Sequence, residues 1–132
     1  MLKRNKRFLI MLLAHTLPLG CIGCSDGGSA SYDQISGAVA KALMDSESGY
    51  IIIDAREQDE YDEGHIPGAI LIPYGEIADR AEKELPDKDQ LILVYCRSGR
   101  RSKIAAEELV KLGYTNVKEF GGIIDWEYEI VK

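Results

Sequence analysis

The residues best suited to chemistry lie in one run, Cys96-Arg97-Ser98-Gly99-Arg100-Arg101. A cysteine reacts as its thiolate, and the thiolate is favoured by converging N–H groups and fixed positive charge. The run offers both. Gly99 permits a tight turn whose amides can curl onto an anion. Arg97, Arg100 and Arg101 add three cations within five residues of the sulfur. A helix starting just beyond would add the positive end of its dipole and its unpaired first amides. A plainer alternative is a buried structural cysteine beside solvent-facing arginines, since free cysteine is often buried. So many arginines in an otherwise acidic chain favour the reactive reading.

A hydrolase of the Cys–His type needs a base beside the thiol. The chain has two histidines. His15 falls in the N-terminal apolar segment, and nothing in the spacing brings His65 to Cys96. A thiolate activated by amides and arginines needs no such partner. It suits soft or strongly activated centres, such as sulfane sulfur, or an oxyanion ester.

The flanking sequence supplies elements to position this run. Leu91 to Tyr95 is a continuous apolar run fit for a buried strand that ends at Cys96. Ser102 to Leu112 follows as a helix, with Ile104, Ala105, Leu109 and Leu112 on one side and Gly113 at its end. Upstream, Tyr32 to Ser46 has helical spacing with Ser31 as N-cap, and Tyr50 to Ile53 is a strand. Gln58 to Glu63 is a short polar helix, Ala69 to Ile72 a strand, and Ile77 to Leu85 a helix closed by Pro86. Val117 to Phe120 is the last strand and Ile123 to Ile130 a closing helix. This alternation predicts an α/β fold, a single domain with a mainly parallel central sheet flanked by helices on both faces. In such sheets reactive groups gather past the C-terminal ends of the strands, where Cys96 stands.

The composition, 45% hydrophobic and 29% charged, is that of a globular protein. The formal net charge is −6. Lys3, Arg4, Lys6 and Arg7 hold four of the sixteen basic side chains, so the rest of the chain sets twelve against 22 acidic ones, a net of −10. Such a body excludes nucleic acid as a partner.

Those four cations and the apolar stretch from Phe8 to Gly20 read as an export signal over residues 1–24, too short to span a bilayer as a helix. An uncleaved anchor is the alternative. Gly20-Cys21-Ile22-Gly23-Cys24 resembles the end of a bacterial lipoprotein signal, in which a cysteine is lipidated. Pro18 and Cys21 stand where such signals carry Leu three places before the cysteine. Cys24 is favoured over Cys21, because Ser25-Asp26-Gly27-Gly28-Ser29 makes a natural tether over residues 25–30. A Cys21–Cys24 disulfide is a further alternative; a zinc site is disfavoured, with no companion pair and two histidines in all. The domain proper is then residues 31–132, exported and held to the membrane only through its N-terminus.

Over roughly residues 31–130 the chain resembles the rhodanese family of sulfurtransferases. The pieces fall in the family's order. Ile53-Asp54-Ala55-Arg56-Glu57 is similar to its Asp-x-Arg-Glu motif, and Gly64-His65-Ile66-Pro67-Gly68-Ala69 to its next segment. Val94-Tyr95-Cys96-Arg97-Ser98-Gly99-Arg100-Arg101-Ser102 is similar to the active loop, followed by Leu112-Gly113-Tyr114 and Gly121-Gly122-Ile123-Ile124-Asp125-Trp126. The resemblance implies that Cys96 takes a sulfane sulfur from thiosulfate or a persulfide donor and passes it to cyanide or a thiol. It implies a substrate site formed by Arg97, Ser98, Gly99, Arg100 and Arg101, with Arg101 and Arg97 ahead of Arg100 in holding sulfite. Asp54 and Arg56 carry over as a pair near the loop, either a surface salt bridge or a support for the loop. His65 reads as a turn residue packing its segment and Trp126 as core. No metal or cofactor motif is present. Related phosphatases place an arginine six positions after the cysteine; here that position is Ser102, which disfavours phosphate or arsenate chemistry. A non-enzymatic module delivering sulfur or redox state to an envelope partner is the competing use of the same fold.

Overall fold

The structure, a computed structural model, describes residues 31–132. The export signal, the tether and both lipidation candidates, Cys21 and Cys24, lie outside the described residues. The sheet has five parallel strands in the order β1-β5-β4-β2-β3. They are β1 (Asp33–Gln34), β2 (Ile51–Asp54), β3 (Ile70–Leu71), β4 (Ile92–Cys96) and β5 (Val117–Gly122). The helices are α1 (Gly37–Ser46), α2 (Gln58–Glu63), α3 (Ile77–Glu84) and α4 (Arg100–Lys111), with short 3-10 turns at Tyr74–Glu76 and Ile123–Asp125.

Every residue of β4 is buried, which accounts for the unbroken apolar run Ile92-Leu93-Val94-Tyr95. Alternate side chains enter two cores. Ile92, Val94 and Cys96 pack with Ile53, Ala81, Ala105 and Leu109, on the side covered by α3 and α4. Leu93 and Tyr95 pack with Ile52, Ala40, Ile66 and Phe120, on the side of α1. Helices therefore cover both faces, as the alternating pattern predicts.

Two expected elements differ. The helix predicted from Tyr32 begins at Gly37, because Ser36 rather than Ser31 is the N-cap and accepts the Val39 amide at 3.1 Å. Asp33 and Gln34 instead pair with Lys118 and Glu119, and Lys118 Nζ reaches Asp33 at 2.6 Å. The predicted closing helix is a single 3-10 turn. Beyond it, Val131 and His65 exchange backbone hydrogen bonds at 2.8 Å, which fixes the last residues as extended chain. Trp126 is half-buried at the rim of the α1-side core, tilted against Phe120 and edge-on to Tyr128, rather than at its centre.

Candidate active site

β4 ends at Cys96, whose residue is 1% exposed, and the chain turns through Arg97, Ser98 and Gly99 into α4. Gly99 is the N-cap of α4 at φ +114°, a conformation that L side chains avoid. This turn brings the Gly99 amide to 3.0 Å from Cys96 Sγ. Ser102, in the first turn of α4 and fully buried, places its Oγ 3.4 Å from the same sulfur. Cys96 pairs with Gly122 across the β4–β5 ladder, and the Gly122 backbone lies directly against the loop. A Cβ built on Gly122 would stand 1.8 Å from the Arg97 carbonyl oxygen. The glycine is a packing requirement of the loop itself.

Burial pushes the Cys96 thiol up. Hydrogen bonds from the loop amides of Ser102, Gly99 and Ser98 oppose this, and the thiol ionises below its ordinary value. The expectation from sequence counts the arginines beside the loop amides and the helix end. Hydrogen bonds instead dominate, and the arginines divide. Arg101 directs Nη1 and Nη2 to Glu60 at 2.6 and 2.8 Å. That bond holds Glu60 down to about 2. Glu60, through its hydrogen bond and charge, raises Arg101, and the charge of Cys96 adds to this. The guanidinium expected to lead in holding sulfite is thus already engaged by a carboxylate. Arg97 and Arg100 are exposed at the loop, Arg100 5.9 Å from the centre of the Tyr74 ring. Ser98 is exposed with them, and Gly99 is buried.

Asp54 and Arg56 do not form a surface salt bridge. They are 0% and 5% exposed. Arg56 donates from Nε and Nη2 to Asp54 at 2.9 and 2.7 Å and from Nη2 to the Gly64 carbonyl at 2.7 Å. Tyr95, next to Cys96, donates its hydroxyl to Asp54 at 2.7 Å and accepts the Ile66 amide at 3.1 Å. This buried network ties the end of β4 to the 64–66 segment. His65 stacks on Tyr61 at 3.7 Å, with Nδ1 2.9 Å from the Tyr61 carbonyl, and packs that segment.

Three participants escaped the reading of the sequence. Glu60 looked like one of several acids on a polar helix. Ser102 enters the sequence reading as the end of the loop segment and the start of a helix, with no contact to the sulfur. Glu119, 2% exposed in the middle of β5, accepts the Ser102 hydroxyl at 2.6 Å and the Gly121 amide at 2.8 Å. Its place two residues after Val117 in the predicted strand, hence on the same face, was the one available signal for it.

Residues 36–129 match the family model of the rhodanese-like domain, and the chain belongs to that family. It is 42% identical over 73 residues to the thiosulfate sulfurtransferase PspE of Escherichia coli (strain K12), covering 55% of this chain and 70% of that one. It is 39% identical over 116 residues to YrkF of Bacillus subtilis (strain 168), provisionally named a sulfur carrier protein. That match takes in 87% of this chain, which spans 61% of YrkF's length. Among solved structures, a rhodanese with anions from E. coli superposes with a TM-score of 0.60 at 39% identity, over 64% of this chain and 99% of the other.

Proposed function

We propose that the protein is a sulfurtransferase that carries sulfane sulfur as a persulfide on Cys96. The observation that carries this reading is the sulfur itself: buried, 3.0 Å from the Gly99 amide, and ionising below an ordinary thiol. The Cys96 thiolate attacks the outer sulfur of thiosulfate. The S–S bond to the sulfonate breaks with its electron pair on sulfite, which leaves, and Cys96 keeps a persulfide anion. An acceptor thiolate or cyanide then attacks the terminal sulfur and returns Cys96 as thiolate, a double displacement. The loop amides stabilise the anion in both halves. Arg97 and Arg100, exposed at the loop, draw in the dianionic donor and hold departing sulfite, while Arg101 serves through its pair with Glu60. The names of the relatives above, and anions in the E. coli rhodanese structure, support the assignment.

Incubation with thiosulfate should add the mass of one sulfur atom to the full chain, removable by cyanide and absent in Cys96→Ser. A folded protein that takes up no sulfur defeats the proposal. YrkF's name favours a second use, sulfur delivery from a protein-bound persulfide. Thiosulfate that fails to saturate, beside a protein persulfide that does, would select it.

We further propose that the domain works outside the cytoplasm, lipid-anchored through Cys24 or, failing that, Cys21. The cationic and apolar pattern of residues 1–24 supports this. The intact mass of the protein isolated from its native membrane reads cleavage and acylation together. A chain beginning at Met1 without lipid refutes it.

A further inference from the structure

Glu119 is buried in β5 on the same face of the sheet as Cys96, and the proposed transfer cycle leaves it without a role. A buried carboxylate is costly unless a cation or hydrogen bonds compensate it. Among the described residues, no ion pair includes Glu119. The pairs on neighbouring positions of α4 and β5, Arg101–Glu60 and Lys118–Asp33, are closed between their own partners. Oε1 of Glu119 has two donors, the Ser102 hydroxyl and the Gly121 amide.

Ser102 has one proton to give. Four acceptors surround its oxygen: Glu119 Oε1 at 2.6 Å, the Gly99 carbonyl at 3.0 Å, the Gly121 carbonyl at 3.4 Å and Cys96 Sγ at 3.4 Å. The shortest contact goes to the carboxylate, and charge-assisted hydrogen bonds are the stronger ones. While that bond stands, Ser102 offers Cys96 lone pairs instead of a proton. Lone pairs accept from a thiol and repel a thiolate.

We propose that Glu119 is a positioning residue for the nucleophile: by holding the Ser102 hydroxyl it withholds a hydrogen bond from the Cys96 thiolate and so opposes ionisation of the sulfur. The fold thus places a restraint beneath the activating loop. The loop amides draw the sulfur toward its anion, and the carboxylate acts against them through one hydroxyl. For a persulfide carrier this limits the standing thiolate, the form most open to oxidation. That consequence rests on Cys96 being the nucleophile. The restraint itself concerns ionisation alone and is measured without any sulfur donor.

The test is the rate of iodoacetamide alkylation of Cys96 against pH in the full chain, its other cysteines replaced by serine. Glu119→Met removes the acceptor at similar volume. It should lower the midpoint by about one pH unit, roughly a tenfold larger thiolate fraction below it. In a Ser102→Ala background the same substitution should move the midpoint by less than half as much. A midpoint unmoved or raised by Glu119→Met overturns the proposal. So does an equal fall without Ser102, which would mark a bare charge effect. If Glu119→Met does not fold, Glu119→Gln, which keeps an oxygen at Ser102 but loses the charge, should show a smaller fall, and no fall overturns the proposal equally. Sulfur uptake from thiosulfate, measured separately, can succeed or fail without altering this outcome.

Discussion

Substituting Gly122 by alanine sets a single methyl group against the activating loop. The added Cβ would lie 1.8 Å from the Arg97 carbonyl oxygen, 2.2 Å from its carbon and 2.5 Å from the Ser98 nitrogen. All three are backbone atoms, so no rotamer change relieves the overlap. Loop and strand must part by more than about 1 Å before the approach reaches even the tightest Cβ contacts of real proteins. The Arg97–Ser98 peptide leads directly to the Gly99 amide, 3.0 Å from the sulfur. Loss of one hydrogen bond to a charged sulfur costs about 1.5–3 kcal/mol, which raises the thiol by roughly one to two pH units. Burial already pushes this thiol up, so the displaced loop leaves that penalty less opposed. Below the alkylation midpoint the thiolate fraction, and with it the rate of sulfur uptake, should fall about 10- to 100-fold. Overpacking costs about 1–3 kcal/mol of stability, less than a domain's usual reserve of roughly 5–15, so the variant should still fold. The assay is alkylation rate against pH, alongside urea denaturation. Gly75→Ala is the control, because a Cβ there meets nothing within 4 Å and the backbone is ordinary. An alkylation midpoint in Gly122→Ala equal to that of the unsubstituted protein would refute the claim that backbone amides hold the thiolate.

Three further outcomes follow from the same geometry. Asp54→Ala strands the buried Arg56 guanidinium and the Tyr95 hydroxyl; breaking such a pair costs about 3–5 kcal/mol, so thermal denaturation should show a midpoint lower by more than about 10 °C. Glu60 ionises at about 2 in the fold, below its unfolded value, chiefly because Arg101 bonds it. Its contribution is therefore fully present above the unfolded value, near pH 4.5, and is lost as pH falls toward 2; Glu60→Gln should flatten denaturation midpoints across that window. Arg97→Ala or Arg100→Ala should each raise the KM for thiosulfate about 3- to 10-fold, and the difference should shrink in high salt, whereas a salt-independent loss of kcat would contradict their role at the rim.

What could be read from the sequence follows the range of the interactions. The strand Leu91–Tyr95, the turn at Gly99 and the helix after it are local patterns, so β4, its loop and α4 were legible, and Cys96 fell where strand ends gather reactive groups. Asp33–Gln34 carries no strand pattern; it becomes one only because β5 offers an edge and Lys118 a charge. The closing segment has helical composition, yet the exchange between Val131 and His65, 66 positions apart, fixes it as extended chain. The fate of Arg101 was likewise unreadable, since Glu60 lies 41 positions earlier and nothing in α2 marks one acid among several. Arginines beside a cysteine were visible; which of them remained available was decided by tertiary packing.

That division has a consequence for what the site can tolerate. Had arginine charge made the thiolate, single substitutions of Arg97 or Arg100 would disarm it, and salt would weaken it, because exposed charges are screened. The donors against Cys96 are instead main-chain amides, fixed by a ladder in which Cys96 faces Gly122. Short of proline, a substitution does not remove an amide donor; it can only move it. The positions on which ionisation depends are therefore those that set the backbone, Gly99 for its left-handed turn and Gly122 for its close approach, together with Ser102 and Glu119, which share one proton beneath the sulfur. In the proposed cycle the exposed arginines are left to govern which anions approach, a separable property that can change without altering ionisation at Cys96.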